Sequence, residues 1–224
     1  MASVQIRKYR DEDAEAVKEL FTLGMSEHVP SSFMHLLKQP LTQLVLMVLV
    51  CALLTSSKSF LLPILAATLF LAASRQSVVF MFNRYIDASI KDDLGNISET
   101  YLKRKESCFW VAESEGRLVG TVGCLPAAAA PACLELKRLC VCRSHRGMGI
   151  AKALCATVAE HTRHSGFAAV QLQTSVVQTD AQKLYENLGY VRTKEFSAPG
   201  FIASVLNFTL FEYRLDLDTD RKSD

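Results

Sequence analysis

The sequence is short of the features that mark several large functional classes. Lys and Arg number 25 against 23 Asp and Glu, a net charge of +2 with a pI near 8.1. That balance is wrong for a dedicated nucleic-acid binder. Seven cysteines contain no Cys-x-x-Cys, and no two of the five histidines stand at zinc-finger spacing, so no metal site is expected. The odd cysteine count suits a reducing compartment, with Cys140 and Cys142 expected on one face of a strand as small buried hydrophobes. The opening MASVQIRKYRDEDAEAV has no apolar core and is not a cleavable signal. No Gly-Lys-Ser/Thr completes a P-loop, and Lys152 stands where a dinucleotide fingerprint needs its third glycine. At 224 residues the chain suffices for one domain with a substantial core and some length to spare.

Charge is missing from one long stretch. Between Pro40 and Ser74 the only charged residue is Lys58, which with its neighbours separates the apolar runs Leu44 to Leu54 and Phe60 to Ala73. Each run is shorter than the roughly 20 residues of a spanning helix. Two buried core helices would need a shell that the flanking sequence does not supply. A single spanning helix would bring Lys58 to the bilayer centre at a cost of several kcal/mol. A helical hairpin, dipping into one leaflet or obliquely across, fits best, with its polar turn at a headgroup layer. Lys38, Arg75 and Arg84 outnumber Lys58, so both ends of the hairpin are expected on the cytosolic side. The division that follows is 1–39, a first strand and helix; 40–75, the hairpin; 76–217, the rest of the catalytic domain; and 218–224, a flexible tail. The sequons at Asn96 and Asn207 would then go unused; Asn96 looks like a helix cap and Asn207 lies in an expected strand.

The remainder has soluble character. A strand at Val4 to Tyr9 precedes an acidic cap at Asp11-Glu12-Asp13 and a helix to about Met25. A short helix is expected over Asn96 to Lys105. A hairpin turning at Glu115-Gly116 joins Ser107–Ala112 to Arg117–Cys124. Then come a strand from Leu134 to Cys142, a helix from Ile150 to Ser165, a strand from Ala168 to Thr174 and a helix from Thr179 to Leu188. Strands at Tyr190–Phe196 and Val205–Asp216 close the chain.

The most informative segment is the junction Arg146-Gly147-Met148-Gly149-Ile150-Ala151-Lys152. Two glycines between a strand and a helix leave successive backbone N–H groups uncovered at the positive end of the helix dipole. Without Cβ atoms they let a phosphate approach closely, and Arg146 adds charge beside them. His145 flanks the turn, while His161 and His164 sit late in the helix, where cations suit the dipole.

The pattern Arg-x-x-Gly-x-Ala resembles the pyrophosphate motif of the GNAT N-acetyltransferases. Leu134 to Val141 resembles the fourth strand of that family, and Ala181 to Tyr190 its last conserved block. The likeness covers about residues 86 to 217, with Val4 to Met25 matching the first strand and helix. The apolar hairpin after helix 1, with SCFWVAES and RGMGIAKAL, resembles the camello group, which includes membrane-bound cysteinyl-conjugate N-acetyltransferases. One departure is Gln178, where many members carry Asn.

The resemblance implies a mixed, mostly antiparallel α/β fold flanked by helices, with acetyl-CoA as co-substrate and a primary amine as acceptor. It implies that Arg146 through Lys152 hold the pyrophosphate and that the backbone of Leu139 and Val141 pairs with the pantetheine arm. The amide of Leu139 or Cys140 would face the thioester oxygen. Tyr185 is the candidate acid for the leaving thiolate, since phenol and thiol have comparable pKa values. Glu135 is the candidate base for the amine. Lys137 and Arg138, adjacent on a strand, are expected on opposite faces, at a solvated surface. The acceptor is expected to be a small amphipathic amine such as a cysteine S-conjugate, met at the endoplasmic reticulum or another internal membrane. Protein lysines, and a non-catalytic acyl-CoA-binding scaffold, are the alternatives.

Overall fold

The computed structural model describes residues 4–57, 59–200, 203–204 and 207–217. Seven strands, β1 (Val4–Lys8), β2 (Cys108–Ser114), β3 (Arg117–Pro126), β4 (Cys133–Val141), β5 (Ala169–Ser175), β6 (Val191–Ser197) and β7 (Thr209–Asp216), form one sheet. Their order is β1-β2-β3-β4-β5-β7-β6. Every neighbouring pair is antiparallel except β4 and β5, which α5 (Ile150–His164) joins as a crossover. The expected mixed, mostly antiparallel architecture is present.

Alternation along the strands sorts side chains to two faces. Trp110, Val122, Leu134 and Leu136 pack with Ile150, Leu154 and Val158 of α5 and with Tyr185 of α6 (Thr179–Asn187). On the other face Phe109 and Val111 meet Val17 and Phe21 of α1 (Ala14–Ser26), together with Leu94, Ile97 and Tyr101. Side chains such as Phe109, Leu134 and Leu154 are fully buried, each worth about 1.5–3 kcal/mol. The β2–β3 turn at Glu115 (φ 51°) and Gly116 (φ 75°) takes the two left-handed conformations that suit a two-residue hairpin. The helix expected over 96–105 shrinks to a π-helical turn, Ser98–Leu102. Asn96 does cap it, its Oδ1 accepting the Glu99 N–H at 3.0 Å. Asn207 is in a left-handed turn (φ 47°) before β7 rather than in a strand.

The charge-poor stretch folds as two packed helices, α3 (Pro40–Ser57) and α4 (Leu61–Lys91), with α2 (Val29–Leu37) before them. Lys58, at the expected tip, lies outside the described residues, as does the tail 218–224. Both helices outrun the apolar runs. Hydroxyls continue them by bonding back to carbonyls, as Thr55 Oγ1 does to Cys51 (3.1 Å), Ser57 Oγ to Leu53 (2.7 Å) and Ser77 Oγ to Ala73 (3.0 Å). At 18 residues α3 is ~27 Å long, close to a bilayer core of ~30 Å. Each helix is a candidate membrane span by length and composition, and only 6% of its most apolar window is buried. The apolar windows are thus not packed into the core of this fold. Phe60, Leu61, Ile64 and Leu69 are more than half exposed. The second half of α4 is different: Val78, Phe82, Ile86 and Ser89 form a buried stripe against the catalytic fold, so one continuous helix passes through position 75 into the domain.

Two irregularities in β4 shape the site. It pairs with β5 only from Cys133 to Leu136; beyond that β5 continues along β7, and the two parallel strands part. Opposite β3 the register slips between Gly123↔Lys137 and Thr121↔Cys140, a bulge in which Arg138 takes φ 56°. The Thr121 hydroxyl donates to the Arg138 carbonyl at 2.9 Å.

Candidate active site

The glycine turn follows the parted end of β4 directly. A 3₁₀ turn (Arg143–His145) leads to Gly147 (φ 77°) and Gly149 (φ 81°), and Gly149 caps α5. A Cβ on either glycine would meet nothing within 4 Å, so their positive φ, not crowding, is what calls for glycine. The N–H groups of Gly147 to Lys152 find no backbone acceptor among the described residues; the first helical bond runs from Ala153 to Gly149. Met148 is half exposed beside them, while Ile150 is buried and anchors the helix. Such a turn, open to solvent, can hold an anion on backbone donors.

Arg146 is held on both sides. Its Nε donates to the Val141 carbonyl at 3.1 Å, and its Nη1 lies 2.7 Å from Glu27 at the end of α1. It ties the end of β4 to the α1–α2 junction as well as charging the turn.

Along β4 the bulge changes which side chains face α1. The Cys140 thiol is buried against α1, donating to the Leu20 carbonyl at 3.4 Å. Burial pushes it up to about 11, so it is a packed thiol and not a nucleophile. Cys142 lies past the strand end and packs toward the α5 side with its Sγ 3.3 Å from Ser144, so the two cysteines do not share a face. Leu139 is half-buried and Val141 buried.

Arg138 is neither solvated nor opposed to Lys137. Its guanidinium forks onto Asp93 (Nε–Oδ2 2.8 Å, Nη2–Oδ1 2.5 Å), with side-chain exposures of 8% and 4%. The left-handed residue breaks strand alternation, so Lys137 also lends its charge to Asp93.

Tyr185 is buried, its ring tilted against Tyr190 (5.7 Å) and Tyr213 (6.0 Å). Burial pushes its phenol above the ordinary value, which keeps it protonated. Glu135 is half-buried and 3.8 Å from Lys137. Leu134 and Leu136 share a core with Tyr185, so alternation puts Glu135 on the other face of the sheet. The gap between β4 and β5 is what connects the two faces.

Gln178 departs from Asn yet is well bonded. Its Oε1 accepts the Ser175 N–H at 3.0 Å and the hydroxyls of Ser175 and Thr174 at 3.1 Å each, and its Nε2 reaches His28 Nε2 at 3.2 Å. Glu27 and His28, at the α1–α2 junction, were not legible as site residues. Nothing in their local pattern separates them from other polar helix-end residues. His145, by the turn, bonds Ser144 (2.9 Å), while His161 in the last turn of α5 bonds the Glu106 carbonyl (3.0 Å) and meets Trp110 edge to face.

Residues 76–190 match the model of the acetyltransferase (GNAT) family. The chain is 41% identical over 196 residues to N-acetyltransferase 8B of Homo sapiens, covering 86% of each chain. It is 33% identical over 217 residues to the "Probable N-acetyltransferase camello" of Xenopus tropicalis, covering 97% of this chain and 99% of the other. In fold it is similar to a GNAT-family acetyltransferase of Staphylococcus aureus Mu50, with TM-score 0.56 at 17% identity over 96% of this chain and 99% of that one. The chain therefore belongs to the GNAT family, and within it to the N-acetyltransferase 8 and camello group of acetyl-CoA-dependent N-acetyltransferases.

Proposed function

We propose that the protein acetylates the α-amine of a small amphipathic substrate of the cysteine S-conjugate kind, at the cytosolic face of the endoplasmic reticulum or another internal membrane. The observation that carries this reading is the conjunction of two features. An open anion cradle borders the parted β4 and β5, and the helix that leads into the same fold begins as a charge-free apolar segment. An amine that partitions into the headgroup layer is concentrated where such a domain sits. Its α-amine is less basic than a lysine side chain and is more often free to attack.

In this reading the cradle from Arg146 to Lys152 binds the cofactor pyrophosphate, and the edge of β4 that β5 leaves unpaired, at Leu139 and Val141, pairs with the pantetheine arm as an added strand. The bulge amide of Leu139 or Cys140 faces the thioester oxygen and stabilises the charge that develops there. The amine nitrogen attacks the carbonyl carbon and the C–S bond breaks. Glu135 takes the ammonium proton, directly or through water, and the Tyr185 phenol protonates the departing thiolate. The α1–α2 junction, with Glu27 and His28, borders the acceptor side.

The test is a comparison of kcat/KM on the purified full chain for S-benzyl-L-cysteine, lysine, aspartate and a lysine peptide. The S-benzyl cysteine should rank first. Acetylation of the peptide with the cysteine conjugate ignored would replace this reading with protein acetylation.

A further inference from the structure

Arg138 is a charged residue in a left-handed conformation, in the middle of a strand, and buried. Each fact alone is unfavourable, and together they need a reason. The hydrogen-bond partners of its side chain all come from one place. Asp93 follows the end of α4, and Ser89 Oγ (2.9 Å) and Tyr85 OH (3.2 Å) on α4 accept from Nη1. Tyr101 donates a short hydrogen bond to Asp93 Oδ2, and the Phe21 ring lies 4.8 Å below the guanidinium. Burial alone would raise the Asp93 carboxyl, but the Arg138 hydrogen bonds and charge outweigh it and hold it below its ordinary value. The pair is thus ionised and saturated with partners. An apolar pair would fill this space at less desolvation cost, so the fork is kept for geometry. What it fixes is the bulge, because Arg138 is the bulged residue and Leu139 and Cys140 follow it.

We propose that Arg138 is a positioning residue: its fork onto Asp93 sets the β4 bulge so that the following amides point at the thioester, making α4 the support of the acetyl site. This rests on the reading that those amides face the thioester oxygen. The helix that carries the apolar segment therefore also determines how well the carbonyl is polarised.

The experiment uses the full chain in detergent micelles with acetyl-CoA carrying ¹³C at the carbonyl. Binding to the parent protein should move the carbonyl resonance downfield, and Arg138→Lys and Asp93→Asn should return it toward the free value. Coenzyme A affinity should stay within about threefold in both variants, since the glycine turn is untouched, while kcat should fall about tenfold or more, less than the loss of a whole oxyanion donor. The double variant should be no worse than the poorer single one. The milder Ser89→Ala should fold normally and show a smaller change in the same direction. If the parent shows no downfield shift on binding, the bulge amides do not face the thioester and the underlying reading fails. If the parent shows the shift and folded variants keep it with kcat unchanged, the positioning role fails. A loss of kcat that only follows the unfolded fraction, and vanishes on cooling, also overturns it.

Discussion

The Gln178 side-chain amide and His28 Nε2 are 3.2 Å apart, and the direction of that hydrogen bond is determined. Gln178 Oε1 must be the atom that accepts the Ser175 N–H, so its Nε2 is the donor and His28 Nε2 must carry a lone pair. His28 is therefore neutral where α1 meets the β5–α6 turn. Burial lowers its pKa, the nearby Arg146 charge lowers it further, and Glu27 and Asp180 oppose them.

A pH dependence follows. The unfolded chain takes up the His28 proton near pH 6.5, whereas the folded protein does so only at lower pH. Stability from this group is complete above that value and is lost as pH falls through the lowered folded pKa. Thermal melts of the parent and of His28→Gln between pH 8 and 5 should converge toward the acid end. Parallel curves across the range would remove His28 from the account.

The turn glycines give a second prediction. Gly149→Val has space for its side chain but not the φ of 81°, so the loop must rearrange. Coenzyme A affinity should fall by roughly fivefold to a hundredfold, in line with a strain of about 1–3 kcal/mol on the cradle, while expression is largely kept. Calorimetric titration with coenzyme A checks this, and unchanged affinity removes the pyrophosphate assignment.

Tyr185→Phe should lower kcat by roughly 10²-fold with little change in cofactor affinity, the scale of a lost proton transfer. A near-normal kcat would mean that the ring serves only to pack against Tyr190 and Tyr213.

Helix α1 and strand β4 nearly touch at Gly24, where a Cβ would lie 2.4 Å from Cys140 Sγ. Gly24→Ala should cost about 1–3 kcal/mol, the range for overpacking. Adding Cys140→Ala should restore most of the loss in denaturant melts. If the double variant is as unstable as the single one, the contact is not the cause.

Membrane attachment is predicted from α3 and the first half of α4. The protein should stay with membranes through high-salt and alkaline washes, because apolar burial is not screened by salt. Deleting 40–74 should release much of it, since the buried stripe Val78, Phe82 and Ile86 would remain in the fold. Recovery of the intact chain in the soluble fraction would refute attachment.

The strands were legible because short β-branched and apolar runs bounded by turn residues are local, α5 because its apolar residues recur at helical spacing, and the glycine turn because backbone freedom is written in residue type. The Arg138 environment was not: it depends on Asp93, 45 residues away, and on a bulge that no period reveals. Helices α3 and α4 run on past the apolar runs because Thr55, Ser57 and Ser77 satisfy their own hydroxyls and do not end a helix. Glu27 and His28 became visible only when α1 was placed against Arg146 and Gln178.

Acetyl transfer at the junction of β4, β5 and the glycine turn requires that thiol release be coupled to amine acetylation. Purified protein loaded with acetyl-CoA and given S-benzyl-L-cysteine should release one free thiol for each N-acetylated product, with both lost together in Gly149→Val. Tight binding of acetyl-CoA with thiol release no faster than without any amine would rule out acetyl transfer here, leaving a membrane scaffold that binds the cofactor without turning it over.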